Sequence, residues 1–334
     1  MTPAEYEFLK TFLKTRSGLV LANEKQYLVE SRLLPIARKQ GLSSVSELVA
    51  KIKSHGAKAL EDAVVEAMTT NESFFFRDKT PFEHFNQTML PHMLKERASS
   101  RKIRIWCAAA STGQEPYSIA MSLKEHASKL AGWRVEIIGT DLSTDVLEKA
   151  KVGIYTQFEV QRGMPVQMLL KYFTQQGDMW QISPELRSMV QWRKLNLLES
   201  FSSLGQFDIV FCRNVLIYFD QPTKVEILDR VRKQMPDDGF LVLGAAETVV
   251  GLTDSFVPAQ NKRGLYEVNH GKAGGAVTPR PAVRATGTLG AAPAKPAAAP
   301  AKPAATPASS LSSPSSATSR LAAATANLAT LRRQ

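Results

Sequence analysis

An apolar run of strand type starts at Ile103 and ends at Ala108. Small residues Ala109, Ala110 and Ser111 follow, then a single glycine, Gly113, and a helix opening with Glu115 and Pro116 in its first turn. Strand, tight turn and helix N-terminus in direct succession restrict the chain to a layered α/β architecture and leave a cradle for a small ligand at the turn. Small side chains there let a ligand lie against backbone. The three glycines of a dinucleotide fingerprint are absent, and Glu115 stands where a phosphate would go. A carboxylate at that place suits a cationic or hydroxyl-rich ligand. An ordinary strand-to-helix turn is the competing reading.

The alternation continues downstream. Strands are expected at 103–108, 133–140, 190–195, 207–212 and 240–244, with helices at about 115–128, 143–152 and 222–235. That rhythm predicts a mainly parallel sheet covered by helices on both faces, closed by an antiparallel hairpin from 255–258 and 264–268. Residues 154–189 break it and read as an insertion containing a small antiparallel element. Residues 1–75 are expected to be a small all-α domain, since Phe8, Leu9, Phe12, Leu13 and later Leu48, Val49, Ile52 recur at helical spacing. Within it, Pro35 should kink or split the second helix. Residues 76–98 form a helical connector and 99–268 the α/β domain. From 269 to 334 the chain is Ala/Pro/Ser-rich and is expected to be disordered, with a short helix conceivable at 319–333.

Eight of the Lys/Arg residues behind the net charge of +11 fall after residue 268, where there is no Asp or Glu, so the remainder carries only +3. Bulk charge therefore argues little for a nucleic-acid partner. No apolar run suits a membrane span, the acidic N-terminus lacks a signal-peptide core, and Cys107 and Cys212 fall in expected buried strands without metal-ligand spacing. A cytoplasmic, metal-free protein is expected.

Three further stretches carry chemistry. Asp141 closes the second strand, where an acidic side chain can accept both hydroxyls of a ribose; capping of the next helix by Asp141 or Ser143 is the alternative. Arg213 and Asn214 end a buried strand at the carboxyl edge, where open α/β sheets bind ligands, and Tyr218 follows on the next loop. Asn71, Ser73 and Arg77 flank three phenylalanines, Phe74–Phe76, whose own role is accounted for by packing of the two domains. Asn196 ends a further strand and could read an adenine edge.

Taken in order, the motifs TTNESFFFRD, AAASTGQEPYS, GTDLS, NLLE and FDIVFCRNVLIYFD resemble those of bacterial chemotaxis receptor glutamate O-methyltransferases, the CheR type, over residues 5–268. The resemblance implies an S-adenosylmethionine-dependent methyltransferase fold, Rossmann-like, with a seven-stranded sheet. It implies cofactor contacts from Asn71, Ser73, Arg77, Glu115, Asp141, Asn196, Leu197, Arg213 and Asn214, with S-adenosylhomocysteine as product. Arg77 and Tyr218 would lie near the transferred methyl, Arg77 contacting a carboxylate of either cofactor or substrate. The implied partner is the cytoplasmic helical domain of chemoreceptors, met by a monomer. Arg32, Arg38 and Lys39 on the second helix would offer it a basic face, although six residues of separation put Arg32 and Arg38 only loosely on one side. Gly177–Trp180 is short beside the insertion loop of relatives that bind a receptor-tail pentapeptide.

A glutamate carboxylate is ionised at neutral pH, so methyl transfer to it needs no general base, in keeping with the lack of a His-centred dyad in these motifs. Anion and sulfonium cancel as they react, which a low-dielectric pocket favours. Two other readings are a nucleic-acid methyltransferase and a non-catalytic cofactor-binding module. Against the first, the place that would hold an Asn/Asp-Pro-Pro-aromatic motif reads Arg213–Tyr218.

Overall fold

A computed structural model of the chain describes residues 1–54 and 58–271. The expectations for the Ala/Pro-rich tail beyond Gly271, including the short helix at 319–333, lie outside the described residues.

Four helices open the chain: α1 (Pro3–Ser17), α2 (Gln26–Lys39), α3 (Val45–Lys53) and α4 (Lys58–Met68). A capping box starts α1: Thr2 accepts from the Glu5 N–H, and the Glu5 carboxylate accepts from the Thr2 N–H at 2.7 Å. Leu9, Leu13, Val29, Leu33, Leu48 and Val64 are fully buried and form the core of this unit. Pro35 does not split α2. It and Ser31, whose carbonyl loses its usual N–H partner, are both exposed, so water can satisfy the freed oxygen.

The segment Thr69–Lys79 leads into α5 (Thr80–His84), a π-helical turn (Phe85–Met89) and α6 (Leu90–Glu96). The α/β part then runs β1 (Lys102–Cys107), α7 (Gln114–Glu125), β2 (Arg134–Asp141) and α8 (Thr144–Val152). The insertion follows: β3 (Ile154–Thr156), α9 (Gln157–Gln161), α10 (Val166–Tyr172), β4 (Phe173–Gln176), β5 (Met179–Ile182) and α11 (Pro184–Ser188). The chain returns as β6 (Val190–Lys194), β7 (Ile209–Cys212), α12 (Gln221–Lys233), β8 (Phe240–Leu243), β9 (Phe256–Pro258) and β10 (Leu265–Val268).

The main sheet has seven strands in the order β6-β2-β1-β7-β8-β10-β9, parallel except at β10, which runs antiparallel to β8 and β9. The insertion is a three-stranded antiparallel sheet, β3-β5-β4, whose β4–β5 hairpin turns on only Gly177 and Asp178. Side chains alternate across the main sheet as a pleated strand demands: Ile105, Cys107, Ile209 and Phe211 enter the core on one face, Trp106, Val210 and Cys212 the core on the other. The mainly parallel, doubly covered fold expected from the strand–helix rhythm is thus the one observed.

The chain winds one way from β1 through β2 to β6, then restarts beside β1 with β7 and proceeds through β8. Strand order therefore reverses between β1 and β7, and their carboxyl ends form the crevice where open α/β sheets bind ligands. Cys107 sits in register with Phe211, and the Ala108 N–H donates to the Phe211 carbonyl at 2.8 Å.

Candidate active site

The turn after β1 is shaped by its backbone. Ser111 has a φ of 49° and Gly113 a φ of 96°. A Cβ at Gly113 would also stand 3.0 Å from Ala150 and from the Trp192 ring, so the bend needs glycine for both conformation and space. Two contacts fix the loop against its neighbours. The Ser111 N–H donates to Asp141 Oδ2 at 2.9 Å, and the Ser111 hydroxyl donates to the Asn71 carbonyl at 2.7 Å.

Asp141 reaches the crevice from the end of β2. Its Oδ1 accepts from the Ser143 N–H at 3.0 Å, so the carboxylate clamps two loops. It is buried, and burial raises its pKa above the usual aspartate value, opposed by the N–H groups of Ser143, Ser111 and Leu142. The alternative of a helix cap is not met by the Ser143 side chain, which makes no capping bond to α8. Lone pairs remain on Asp141 for further donors.

Arg213 leaves β7 into the interior, its side chain 1% exposed. Nη1 donates to Glu115 Oε2 at 2.7 Å, and Nη2 donates to Asp78 Oδ2 at 2.7 Å and to the Arg77 carbonyl at 3.0 Å. Glu115 therefore arrives at the crevice already paired, although burial still raises its pKa against the pull of Arg213. Asn214 follows with a φ of 58°, and a short 3-10 turn, Leu216–Tyr218, brings Tyr218 to the rim. The Tyr218 hydroxyl makes no hydrogen bond among the described residues, and its carbonyl accepts from the Val20 N–H of the helical unit at 3.0 Å.

The Thr69–Lys79 segment closes the crevice from above. Phe75 is fully buried, edge-on to Tyr155 and Phe173, and Phe76 packs edge-on to Phe82. These two rings anchor the segment in the core of the α/β part, whereas Phe74 lies under the guanidinium groups of Arg77 and Arg162. Arg77 itself donates to the Glu72 carbonyl at 3.0 Å and makes no ion pair among the described residues.

One cleft is lined by Asn71, Ser73, Arg77, Glu115, Asp141, Asn196, Leu197, Arg213, Asn214 and Tyr218 together. The structure thus brings together all ten residues that sequence reasoning assigned to cofactor and chemistry. Ser17, Leu19, Thr69 and Thr70 of the helical unit and the link after it also line it. Asn196 takes part differently from expectation: its Nδ2 donates to the Arg16 carbonyl at 2.8 Å and its Oδ1 accepts from the Leu198 N–H at 3.0 Å, so much of its amide is spent on holding α1. The cleft does not include Arg32, Arg38 or Lys39. Arg38 and Lys39 are exposed, but Arg32 donates to the carbonyls of Met68 (2.8 Å) and Thr69 (2.9 Å), tying α2 to the segment that roofs the site. Asp78 was not singled out by sequence reasoning, its position inside the TTNESFFFRD motif being the available signal; Ser111 was read only as a small residue, not as a donor to Asp141 and Asn71.

Against this geometry, two family descriptions match: "CheR methyltransferase, SAM binding domain" over residues 71–265 and "CheR methyltransferase, all-alpha domain" over residues 4–69. The chain belongs to the CheR methyltransferase family. It is 43% identical over 266 residues to chemotaxis protein methyltransferase 1 of Pseudomonas aeruginosa, spanning 78% of this chain and 96% of that protein. It is 42% identical to chemotaxis protein methyltransferase 1 of Vibrio cholerae, over 75% and 92% of the two chains. With the chemotaxis protein methyltransferase of Escherichia coli it shares 35% identity over 77% and 88%. This CheR-family chain is an S-adenosylmethionine-dependent protein methyltransferase.

The cleft fits that cofactor. It offers a buried carboxylate, Asp141, with lone pairs for hydroxyl groups, and an unpaired cation, Arg77, for a carboxylate. Apolar walls for a base come from Leu142, Leu195 and Leu197. Arg213 Nε is buried without an acceptor among the described residues, an N–H in want of a partner beside the site. Among the described residues no cluster of His, Cys, Asp or Glu suits a metal ion, and no helix is long and apolar enough to cross a membrane.

Proposed function

We propose that the enzyme methylates glutamate side chains on the cytoplasmic helical domain of chemoreceptors, forming glutamate 5-O-methyl esters. It does so as a cytoplasmic monomer that acts on no nucleic acid. The observation that carries this reading is the pairing of an ion-pair-free Arg77 and an uncommitted Tyr218 hydroxyl on the cleft that also holds Asp141. Asn71, Ser73, Asp141, Asn196, Leu197 and Asn214 would hold the cofactor, with Glu115 and Arg213 locked as a pair that shapes its floor. When bound, S-adenosylmethionine supplies a sulfonium methyl group as electrophile. Tyr218 would orient the incoming carboxylate by donating a hydrogen bond, and Arg77 would bind a carboxylate of cofactor or substrate. The acceptor is ionised at neutral pH, so no residue need act as base. Alignment of the two reactants is the protein's main contribution, for which well-placed groups gain roughly 7–11 kcal/mol.

Receptor docking is assigned to the exposed Arg38 and Lys39 at the end of α2, while Arg32 on the same helix is spent on the Met68 and Thr69 carbonyls. The two-residue turn between β4 and β5 offers little to a receptor-tail peptide, which supports recognition without one. The test is incubation of the purified enzyme with tritiated S-adenosylmethionine and receptor-containing membranes, followed by mild base. Label released as methanol is expected, because esters hydrolyse. Label that survives base, or that enters RNA or DNA in place of receptor, would overturn the assignment.

A further inference from the structure

Beyond the cleft lining, Glu247 has an arrangement that no structural need of β8 explains. Its carboxylate is buried and accepts four backbone N–H groups. Oε2 takes those of Gly244 and Asn214, both at 2.7 Å; Oε1 takes those of Val215 at 2.9 Å and Ile217 at 3.3 Å. Three of the four belong to the loop between Asn214 and Tyr218. That loop leaves β7 through a left-handed Asn214, a conformation that asparagine tolerates better than other non-glycine residues. Its amides point inward and have no strand to pair with. The neighbour that makes room is Gly244, in line with the parallel register of Cys212 on Leu243. A Cβ there would fall 2.7 Å from both the Asn214 side-chain nitrogen and Glu247 Oε2.

We infer that Glu247 is a positioning residue for methyl transfer: it holds the Asn214–Tyr218 loop in the one shape that presents the Tyr218 hydroxyl to the substrate carboxylate. It touches neither cofactor nor substrate. The inference rests on the role given to Tyr218 above. A carboxylate is needed because all four contacts are acceptances; an amide in its place turns one oxygen into a donor that faces two N–H groups. Aspartate is one methylene too short to span both β8 and the loop.

The test compares Glu247→Gln, Gly244→Ala and Tyr218→Phe with the parent in two assays: S-adenosylhomocysteine binding by calorimetry and kcat for receptor methylation. Gly244→Ala keeps the carboxylate but wedges a methyl group against it, so it separates lost geometry from lost charge. Displacements of about 1 Å near reacting groups cost on the order of a hundredfold in rate. Glu247→Gln and Gly244→Ala should each lower kcat by about that factor with binding stoichiometry near that of the parent, and, since Asn214 also lines the cleft, with affinity falling by a smaller factor than kcat. Glu247→Gln combined with Tyr218→Phe should lose no more than the worse single variant. Multiplying losses would overturn the inference, because Glu247 would then act by a route other than Tyr218. A kcat loss matched by an equal loss of binding stoichiometry would also overturn it, reducing Glu247 to a folding residue. Full activity in Tyr218→Phe alongside a large loss in Glu247→Gln would refute the route through the hydroxyl. A parent that binds S-adenosylhomocysteine yet labels no receptor would instead refute the proposed function, before any variant is read.

Discussion

Replacing Arg213 by methionine gives the most searching test of the site's electrostatics. The side chain is 1% exposed and its partner Glu115 only 11%, at 2.7 Å. Asp78, 37% exposed, can rehydrate when Arg213 is lost, so its contact adds no more than about 1 kcal/mol. Glu115 has no such recourse. Removing one member of a buried pair typically costs roughly 3–5 kcal/mol, because a charge is left in the interior without compensation. Methionine retains packing against Phe82, above which the guanidinium lies at 5.9 Å, so little of the loss is cavity. For a domain of this size, where 1 kcal/mol shifts the midpoint by about 2 °C, the melting temperature should fall by roughly 6–10 °C. The pH dependence has a definite sign. Burial already raises the Glu115 pKa and Arg213 opposes that rise. Without Arg213 the folded pKa climbs further above the unfolded one, so the native state holds an extra proton in the window between them, and stability falls as pH increases through it. The deficit of Arg213→Met should therefore be larger at pH 8 than at pH 5.5. In Arg213→Met/Glu115→Gln it should shrink and lose its pH dependence, with a coupling energy of about 2–3 kcal/mol. Calorimetric melting at both pH values measures this. A deficit identical at the two pH values, or additive in the double variant, would refute the account of a buried, mutually dependent pair.

Asp141→Asn should weaken S-adenosylhomocysteine binding about ten- to a hundredfold, the worth of one or two hydrogen bonds to a charged acceptor. Because burial raises the Asp141 pKa and hydroxyl donors favour its ionised form, parental affinity should improve as pH rises through that pKa, and the variant's should not; equal slopes by calorimetry would discard the role. Arg38→Glu/Lys39→Glu should lower receptor methylation at subsaturating receptor while leaving S-adenosylhomocysteine affinity unchanged. Arg32→Glu should lower both melting temperature and affinity, because it frees the Met68–Thr69 carbonyls that roof the cleft. Phe75→Ala should destabilise by about 3–5 kcal/mol as a fully buried ring lost from the core, and Phe74→Ala by much less; comparable melting shifts would contradict the anchoring described for the link.

The fold was legible because a parallel sheet covered on both faces writes its strands as continuous apolar runs. Ile103–Ala108 and Phe207–Cys212 announced β1 and β7 to within two residues. Polar residues at the ends of such runs are conspicuous, which is why Asp141, Arg213 and Asn214 stood out. Of the two outcomes expected at Pro35, a split does not occur, because the cost of a helix proline depends on whether the orphaned carbonyl meets water, and that is a property of the face, not of the residue. The π-helical turn at Phe85–Met89 left no pattern at all, since its apolar residues also suit an ordinary helix.

At the site, sequence told which chemistries were present but not which of them were already spent. Arg213 and Glu115 each read as a group free to meet ligand, yet they lie 98 residues apart in sequence and neutralise each other. Asn196 read as a base reader and holds the carbonyl of Arg16, 180 residues away. Arg32 read as surface charge and ties down the roof. In each case a long-range contact, invisible to spacing, consumed donors or acceptors that the motif advertised. Among what remains after that subtraction are Asp141 with lone pairs to spare, Arg77 without an acidic partner, the buried Arg213 Nε and the Tyr218 hydroxyl. A ligand carrying hydroxyl groups together with a substrate or cofactor carboxylate answers Asp141, Arg77 and Tyr218. Since Ser17 at the end of α1, Leu19 just after it and the Arg32-tethered segment after α4 also wall the cleft, any change in how the helical unit is held alters the cleft directly. Charge reversal at Arg38 and Lys39, outside that tether, is the perturbation that reads docking alone.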